Sequence, residues 1–216
     1  MNKGDNMKQI NITNGEVFDQ YFKENFKEKS VSFNEVMMDG KLRTDYFSEA
    51  FIEDRIKVLD TTKQIYLEKL NPFLKVINDI GDYDEVNLWF GDDTFCQINQ
   101  LFILSMLESR SYLGKITIYT LDSLTHLNII NKYIVKLEGF TRIYNDLIHE
   151  KEIKTTLPYL EKAVRLYYDY KNPKGVLQTY AKENKLLPMK TKINALMDIG
   201  KPYGLSDVQA QKIIDK

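Results

Sequence analysis

The most constraining feature of this sequence is the stretch from Val86 to Glu108, VNLWFGDDTFCQINQLFILSMLE. Its first residues are typical of a buried strand, the turn Gly91-Asp92-Asp93 interrupts them, and apolar residues then recur at helical spacing. A strand, a tight turn and a helix in this order form the repeating unit of α/β proteins. The turn therefore falls at the carboxyl end of a strand, which is where such folds hold polar side chains rigidly.

The rest of the chain continues the alternation of strands and helices. Further strands are predicted at Lys8–Thr13, Ser30–Val36 and Lys115–Leu121, with helical patterns between them, and Asn71-Pro72 predicts a new helix start. After about Gly139 every periodic segment is helical. We therefore predict an α/β fold with a three-layer parallel sheet of about four strands, ordered 2-1-3-4, over residues 1–138. Residues 139–216 are predicted to form a helical region packed on it.

Composition indicates an ordinary globular protein. Hydrophobic residues make up 43% of the 216-residue chain and the net charge is -1, so the chain can bury a sizeable core. Cys96 is the single cysteine and cannot form an internal disulfide. The polar N-terminus is not typical of a secretory signal, and the sequence lacks an apolar run long enough for a membrane span. A cytoplasmic location without membrane association is expected.

The charges are unevenly distributed along the chain. Residues 1–150 carry 17 Lys and Arg against 24 Asp and Glu, whereas residues 151–216 carry 13 against 7. The basic tail also mixes Tyr with Lys in the segment 165–185, a composition found on surfaces that bind nucleic acids. Docking of the tail on the acidic front, or two solvated surfaces, explains the asymmetry as well. Because the tail lysines are spread out, a nucleic-acid partner is disfavoured but left open.

The predicted strand order places one crevice at the edge of the sheet. The first and third strands are then neighbours whose crossovers leave in opposite directions, so their carboxyl ends open a binding site. That arrangement brings Asn14-Gly15 next to Gly91-Asp92-Asp93, with Glu35 close by. The crevice is the predicted site of a small-molecule ligand.

Acidic residues of the crevice are the candidates for chemistry. Asp92 and Asp93, together with Glu35 or Glu16, have the oxygen ligands that a divalent cation prefers. Asp92, Asp93 and Glu35 are therefore the candidate catalytic residues, and the two aspartates are the candidate metal ligands. The alternative is that an aspartate at this position caps the helix that follows it.

Five residues are candidates for ligand binding. Asn14, Gly15 and Gly91 lie in turns where backbone N–H groups can approach a ligand, although an Asn-Gly pair alone also forms ordinary tight turns. Arg55 shares a helical face with apolar residues, and it is expected either to neutralise an anionic ligand or to form a structural ion pair with Glu35 or Asp92. Gln97 is expected to orient the ligand. Cys96 near a helix start is either a reactive thiol or a small buried apolar side chain.

These segments resemble a known bacterial family. The turn Asn14-Gly15-Glu16, the segment from Asn34 to Gly40, Phe51 to Arg55, and LWFGDD with Gln97 are together similar to the domain-of-unknown-function 1835 family. The tail, with Tyr167 to Tyr170, Leu187-Pro188 and Gly204-Leu205-Ser206, is similar to the companion family numbered 3658. Glu16 and Glu35 stand where the first family usually has Asp, and Cys96 stands where it often has an acidic residue. The resemblance implies a fold and a cluster of positions without a reaction.

Two functions follow as hypotheses from these residues. The first is a protein that binds a small polar or anionic ligand at the carboxyl ends of the strands, and that acts as a metal-assisted hydrolase or transferase. The second is a non-enzymatic regulatory or interaction protein whose basic helical tail binds a protein or nucleic acid. The sequence leaves the oligomeric state open.

Overall fold

The structure is a computed structural model, and it describes residues 7–123, 125 and 127–215. The strands are β1 (Gln9–Asn14), β2 (Ser30–Phe33), β3 (Glu85–Gly91), β4 (Lys115–Leu121) and β5 (Ile129–Val135). The helices are α1 (Glu16–Asn25), α2 (Glu49–Leu59), α3 (Lys63–Asn78), α4 (Thr94–Ser109), α5 (Phe140–Ile148), α6 (Leu160–Lys171), α7 (Val176–Glu183), α8 (Met189–Ile199) and α9 (Asp207–Ile214).

The strands form one sheet in the order β2-β1-β3-β4-β5. The first four are parallel and β5 runs antiparallel to β4. The predicted α/β class is confirmed. The predicted sheet had four parallel strands, whereas the observed sheet has five. The additional strand, β5, is an antiparallel edge strand beside β4.

Helices cover the two faces of the sheet unequally. The larger core lies on one face, where α4 is buried around almost its whole surface. Phe102 at its middle packs its ring against five other aromatic rings, among them Phe33 and Tyr144. On the other face, Trp89 stacks on Tyr119 with ring centroids 3.9 Å apart and packs under α1. Trp89 is thus a core residue, as its place inside a strand predicts.

The predicted helix start at Asn71-Pro72 is wrong. Pro72 lies inside the continuous helix α3. Proline removes one helical hydrogen bond, but Leu70, Phe73 and Ile77 on both sides of it are buried on a single face. Burial of that face outweighs the local cost, so the helix continues through the proline.

The C-terminal helices pack against the sheet region through α4. Helices α5 and α6 contact α4, and buried residues from both halves of the chain belong to one continuous core. The turn after α8 lies directly on the start of α4: Thr94 donates a hydrogen bond to the Pro202 carbonyl at 3.0 Å, and a Cβ on Gly204 would lie 2.3 Å from Asp93 Oδ1. Ser206 and Gln209 form the capping box that starts α9. Among the described residues, the helices lack the combined length and hydropathy of a bilayer-spanning segment.

Candidate functional site

Two loops that are remote in sequence meet at the carboxyl ends of β1 and β3. These strands pair in parallel, with Thr13 opposite Trp89. Directly beyond them, Asn14 Nδ2 donates a hydrogen bond to Cys96 Sγ at 2.9 Å. The Asn14-Gly15 bend and the start of α4 therefore lie side by side, as the predicted crevice requires.

Asn99 connects these loops, and sequence reasoning missed it. Its side chain is fully buried and its Nδ2 donates to Asn14 Oδ1 at 2.9 Å and to the Glu35 carbonyl at 2.7 Å. Its Oδ1 accepts from the Met37 N–H at 3.0 Å. One amide thus joins β1, the loop after β2, and α4. The available signal was a group of buried amides, Gln97, Asn99 and Gln100, in the first half of a helix whose second half is mostly apolar.

The two aspartates of the turn bind backbone groups. Asp93 is the N-cap of α4 and its Oδ1 accepts from the Cys96 N–H at 2.9 Å. Asp92 Oδ1 accepts from the Ser123 N–H at 3.1 Å, which ties the turn to the end of β4. Across the described part of the chain, no three His, Cys, Asp or Glu side chains lie close enough together to hold a metal ion. The expected cluster of Asp92 and Asp93 with Glu35 or Glu16 is therefore not formed there, and helix capping is the observed role of Asp93.

Arg55 and Glu35 form a buried ion pair. Arg55 Nε donates to Glu35 Oε2 at 2.7 Å, and both side chains are almost completely inaccessible, at 0% and 1% exposed. The other guanidinium nitrogens donate to the carbonyls of Asp39 at 2.7 Å and Val36 at 2.8 Å. The Arg55 side chain thus contacts the loop after β2 rather than a cavity. Of the two predicted roles, the structural ion pair is the one observed.

The second oxygen of Glu35 is also occupied. Tyr66 OH donates a short hydrogen bond to Glu35 Oε1. Burial, followed by the adjacent Glu35 carboxylate, raises the pKa of Tyr66 well above its ordinary value. The phenol therefore stays protonated and remains a donor to the carboxylate. Glu35 is held by Arg55 and Tyr66 together, so it is positioned as a structural anion rather than as a free base.

Gly91 and Gln97 shape the turn itself. Gln97 Nε2 donates to the Gly91 carbonyl at 2.7 Å, while its buried Oε1 has no donor among the described residues. A Cβ on Gly91 would lie 2.8 Å from Asp93 Oδ2 and 3.0 Å from Cys96 Sγ, so a larger residue would displace the cap. The predicted ligand-binding residues Gly91 and Gln97 therefore contact the turn, and neither lines the cavity next to it.

The cavity opens on the β2 side of β1 and has a volume of about 490 Å³. Three predicted site residues line it, namely Asn14, Gly15 and Glu35. Apolar side chains from α1, β2, α2, α3 and α4 form much of its wall, and polar side chains of α1, α3 and the loops complete it. The apolar set includes Phe33, Leu70 and Phe95; the polar set includes Asn34, Thr61 and Lys69.

The amino end of α1 forms one wall of this cavity. Gly15 is the N-cap at φ 86°, a left-handed value that favours glycine, and no side chain caps the helix. The backbone N–H groups of residues 16–18 have no acceptor among the described residues. A Cβ at Gly15 would meet nothing within 4 Å, so the space beside this turn is open. The wall therefore presents donors and the positive end of a helix dipole.

Cys96 has the environment of a structural thiol. It is buried, and burial followed by the neighbouring Asp93 raises the pKa of its thiol well above the ordinary value. We expect the native protein to resist dithionitrobenzoate at neutral pH and to release one equivalent of thionitrobenzoate only after denaturation, because the thiolate is the reactive species. The absorbance of the released thionitrobenzoate, compared with and without guanidinium at equal reagent concentration, measures the accessible thiol. Rapid labelling of the folded protein would show a reactive thiol instead.

Comparison with known proteins finds no relative of this chain. No protein-family model, no curated protein and no solved structure matches the chain. The resemblance to the domain-of-unknown-function 1835 family thus stays a prediction. Functional inference for this chain rests on the geometry of its own cavities.

Proposed function

We propose that this protein binds a small polar molecule in the cavity at the carboxyl ends of β1 and β2. The observation that carries the proposal is the uncapped amino end of α1 in the wall of a cavity of about 490 Å³. Helix starts with free N–H groups are favourable positions for anionic or acceptor groups of a ligand. Cavities of a few hundred Å³ are typical of small-molecule sites.

The lining indicates how such a ligand lies. Its anionic or carbonyl group faces the free N–H groups of residues 16–18, where the glycine turn allows close approach. Its apolar part packs against Phe95 and Leu70, which line the same cavity. Lys69 at the cavity is 3.6 Å from the Glu16 carboxylate, and Asn34 donates to the same carboxylate at 3.3 Å. These three side chains supply the polar contacts that discriminate between ligands.

The proposal concerns binding, and hydrolysis or group transfer stays a hypothesis. Glu35 lines the cavity, but its two carboxylate oxygens accept from Arg55 and Tyr66. A metal-assisted reaction at Asp92 and Asp93 has no support from the described residues, because their carboxylates bind backbone N–H groups. The expected cytoplasmic location agrees with a small-metabolite ligand.

The alternative of a macromolecular partner has less support because part of the basic tail contacts the front of the chain. Tyr170 OH donates to Asp39 Oδ1 at 2.5 Å, and Lys171 Nζ donates to the Gly40 carbonyl at 2.9 Å. Lys212 Nζ donates to the Val58 carbonyl at 3.4 Å. The tail therefore docks on the front of the chain, and two of its lysines donate to backbone carbonyls there.

Blocking the cavity tests the proposal. Val17 lines the cavity and is 87% exposed, so Val17→Trp should fill the opening without disturbing the core. A thermal-shift screen of carboxylates, nucleosides and phosphorylated metabolites identifies the ligand, and calorimetry then measures its dissociation constant. We expect Val17→Trp to weaken binding at least about tenfold, since the bulky ring displaces the ligand from its contacts.

Gln20→Trp is the matched control. Gln20 is an exposed residue of the same helix and lies outside the cavity lining. This variant should bind the ligand as the wild type does. Equal weakening by both substitutions, or a screen in which no compound raises the melting temperature, would contradict the proposed site.

A further inference from the structure

A second cavity lies between the C-terminal helices and the loop that follows β2. Its volume is about 430 Å³, and residues of α6, α7, α8 and α9 line it together with Asp39 and Gly40. Four lysines from these helices and their connections face it, namely Lys171, Lys182, Lys185 and Lys192. One carboxylate, that of Asp39, is part of the lining. The lining therefore carries an excess of positive charge.

The single carboxylate is outnumbered by the four lysines, and two neutral side chains donate to it. Asp39 Oδ1 accepts from Tyr170 OH at 2.5 Å and its Oδ2 accepts from Gln209 Nε2 at 3.2 Å. Lys182 Nζ donates to the Pro173 carbonyl at 2.9 Å, which is a neutral partner. The ammonium groups of Lys185 and Lys192 have neither an ion pair nor a hydrogen bond within the described part of the chain.

Lys192 is the decisive residue of this set. It lies in the first turns of α8 and is only 9% exposed, so most of its side chain is removed from water. The aliphatic stem is thus buried, whereas the ammonium group, which is not among the fully buried unpaired atoms of the described residues, faces the cavity. Gln178, which also lines the cavity, has a buried Oε1 without a donor among the described residues. The lining thus carries more ammonium groups than carboxylates, and it leaves one buried amide oxygen without a donor.

We infer that this second cavity binds a small phosphate ester that carries hydroxyl groups. A phosphate has close to two negative charges and three acceptor oxygens at neutral pH, so it can receive several lysine ammonium groups at once. A hydroxyl group of the same ligand supplies the donor that Gln178 Oε1 lacks. The helices surround the cavity from several sides, and its volume suits a small molecule rather than a strand of nucleic acid.

The experiment compares two lysines of one helix in the full chain. Lys192→Met removes the ammonium group that a buried stem presents to the cavity, and Lys190→Met removes the ammonium group of an exposed residue outside the cavity. Titration calorimetry with ribose 5-phosphate and with inorganic phosphate, at constant ionic strength, measures the affinity. We expect binding by the wild type and by Lys190→Met, and a loss of about thirtyfold or more in Lys192→Met. Stabilisation of the wild type by sodium chloride equal to that by ribose 5-phosphate would overturn the inference.

The melting temperature without ligand separates this role from a structural one. Because Met keeps the apolar stem and removes one of four neighbouring positive charges, Lys192→Met should melt at the same temperature as the wild type or above it. A large drop in its melting temperature, with unchanged phosphate affinity in Lys192→Gln, would mean that Lys192 stabilises the fold only. Binding of a single-stranded oligonucleotide that Lys192→Met abolishes, with no binding of ribose 5-phosphate, would also overturn the inference.

Measuring ribose 5-phosphate binding in the variants of both cavities shows which cavity holds the phosphate. Val17→Trp should leave the affinity for ribose 5-phosphate unchanged, because Val17 lines the cavity at β1 and β2 and not this one. Loss of phosphate binding in Val17→Trp with retention in Lys192→Met would place the phosphate at the first cavity and overturn the inference.

Discussion

Arg55→Met should lower the free energy of unfolding by about 3–5 kcal/mol, the cost of removing one member of a buried ion pair. Arg55 and Glu35 are fully buried, so the carboxylate that remains cannot recover its charge partner from water. The substitution also leaves the carbonyls of Val36 and Asp39 without their donors. Urea unfolding monitored by circular dichroism measures the change.

Two further variants test this reasoning. Arg43→Met breaks the more exposed ion pairs of Arg43 with Asp45 and Asp54, and it should lower the free energy of unfolding much less than Arg55→Met does. The double variant Glu35→Leu with Arg55→Met should be more stable than Arg55→Met alone by about 1–3 kcal/mol, because it no longer buries an unpaired carboxylate. A double variant less stable than Arg55→Met would show that the lost carbonyl contacts, rather than the charge, dominate.

The same ion pair shows how far sequence patterns reach. Arg55 lies on the apolar face of a helix, and this position predicts that its side chain is buried and needs a hydrogen-bonding or charged partner. The sequence left Glu35, Asp92 and a ligand as possible partners. The choice among these three partners depends on the path of the loop after β2. Arg55 itself helps to fix that path, because it donates hydrogen bonds to the carbonyls of Val36 and Asp39.

The parts of the fold that periodicity predicts are those with strong, uninterrupted patterns. Strand β4 begins and ends where the pattern Lys115–Leu121 does, and β1 begins and ends one residue later than the predicted Lys8–Thr13. Strand β2 ends at Phe33, three residues before the predicted end at Val36. Strand β5 was missed although its sequence, IINKYIV, is rich in β-branched residues. Its outward positions carry Ile130 and Ile134, so no regular alternation of apolar and polar residues marks it.

The sequence predicted which loops meet at this edge of the sheet, but it did not predict which of their side chains line the cavity. Strand order brings Asn14-Gly15 to the start of α4, and this follows from topology alone. Which side chains face a cavity depends on hydrogen bonds to the backbone, which a pattern of residue types does not specify. Asp93 caps α4 and Gln97 binds the Gly91 carbonyl, so both contact the turn instead of the cavity.

Asn99→Ala should lower the free energy of unfolding by about 2–4 kcal/mol, since a buried group left without its partner costs about 1–3 kcal/mol. The variant leaves the Met37 N–H and the Glu35 carbonyl buried without the amide that now binds both. It also removes the donor to Asn14 Oδ1. Urea unfolding measures the loss, and Asn25→Ala, which removes an exposed amide bound to the Tyr21 carbonyl, should change stability by about 0.5 kcal/mol or less.

Asn99→Ala should also lower the affinity of the first cavity for its ligand, although Asn99 does not line that cavity. The amide holds Asn14 and Glu35, which do line it, at a fixed separation, so its loss lets the two sides of the cavity move apart. Asn99→Asp discriminates positioning from simple loss of packing, because it keeps the size of the side chain and the acceptor for Met37 N–H but not the two donated bonds. Weakened binding in Asn99→Asp at a temperature where it remains folded is the expected result. Wild-type affinity in that variant would show that the bridge stabilises the fold without shaping the cavity.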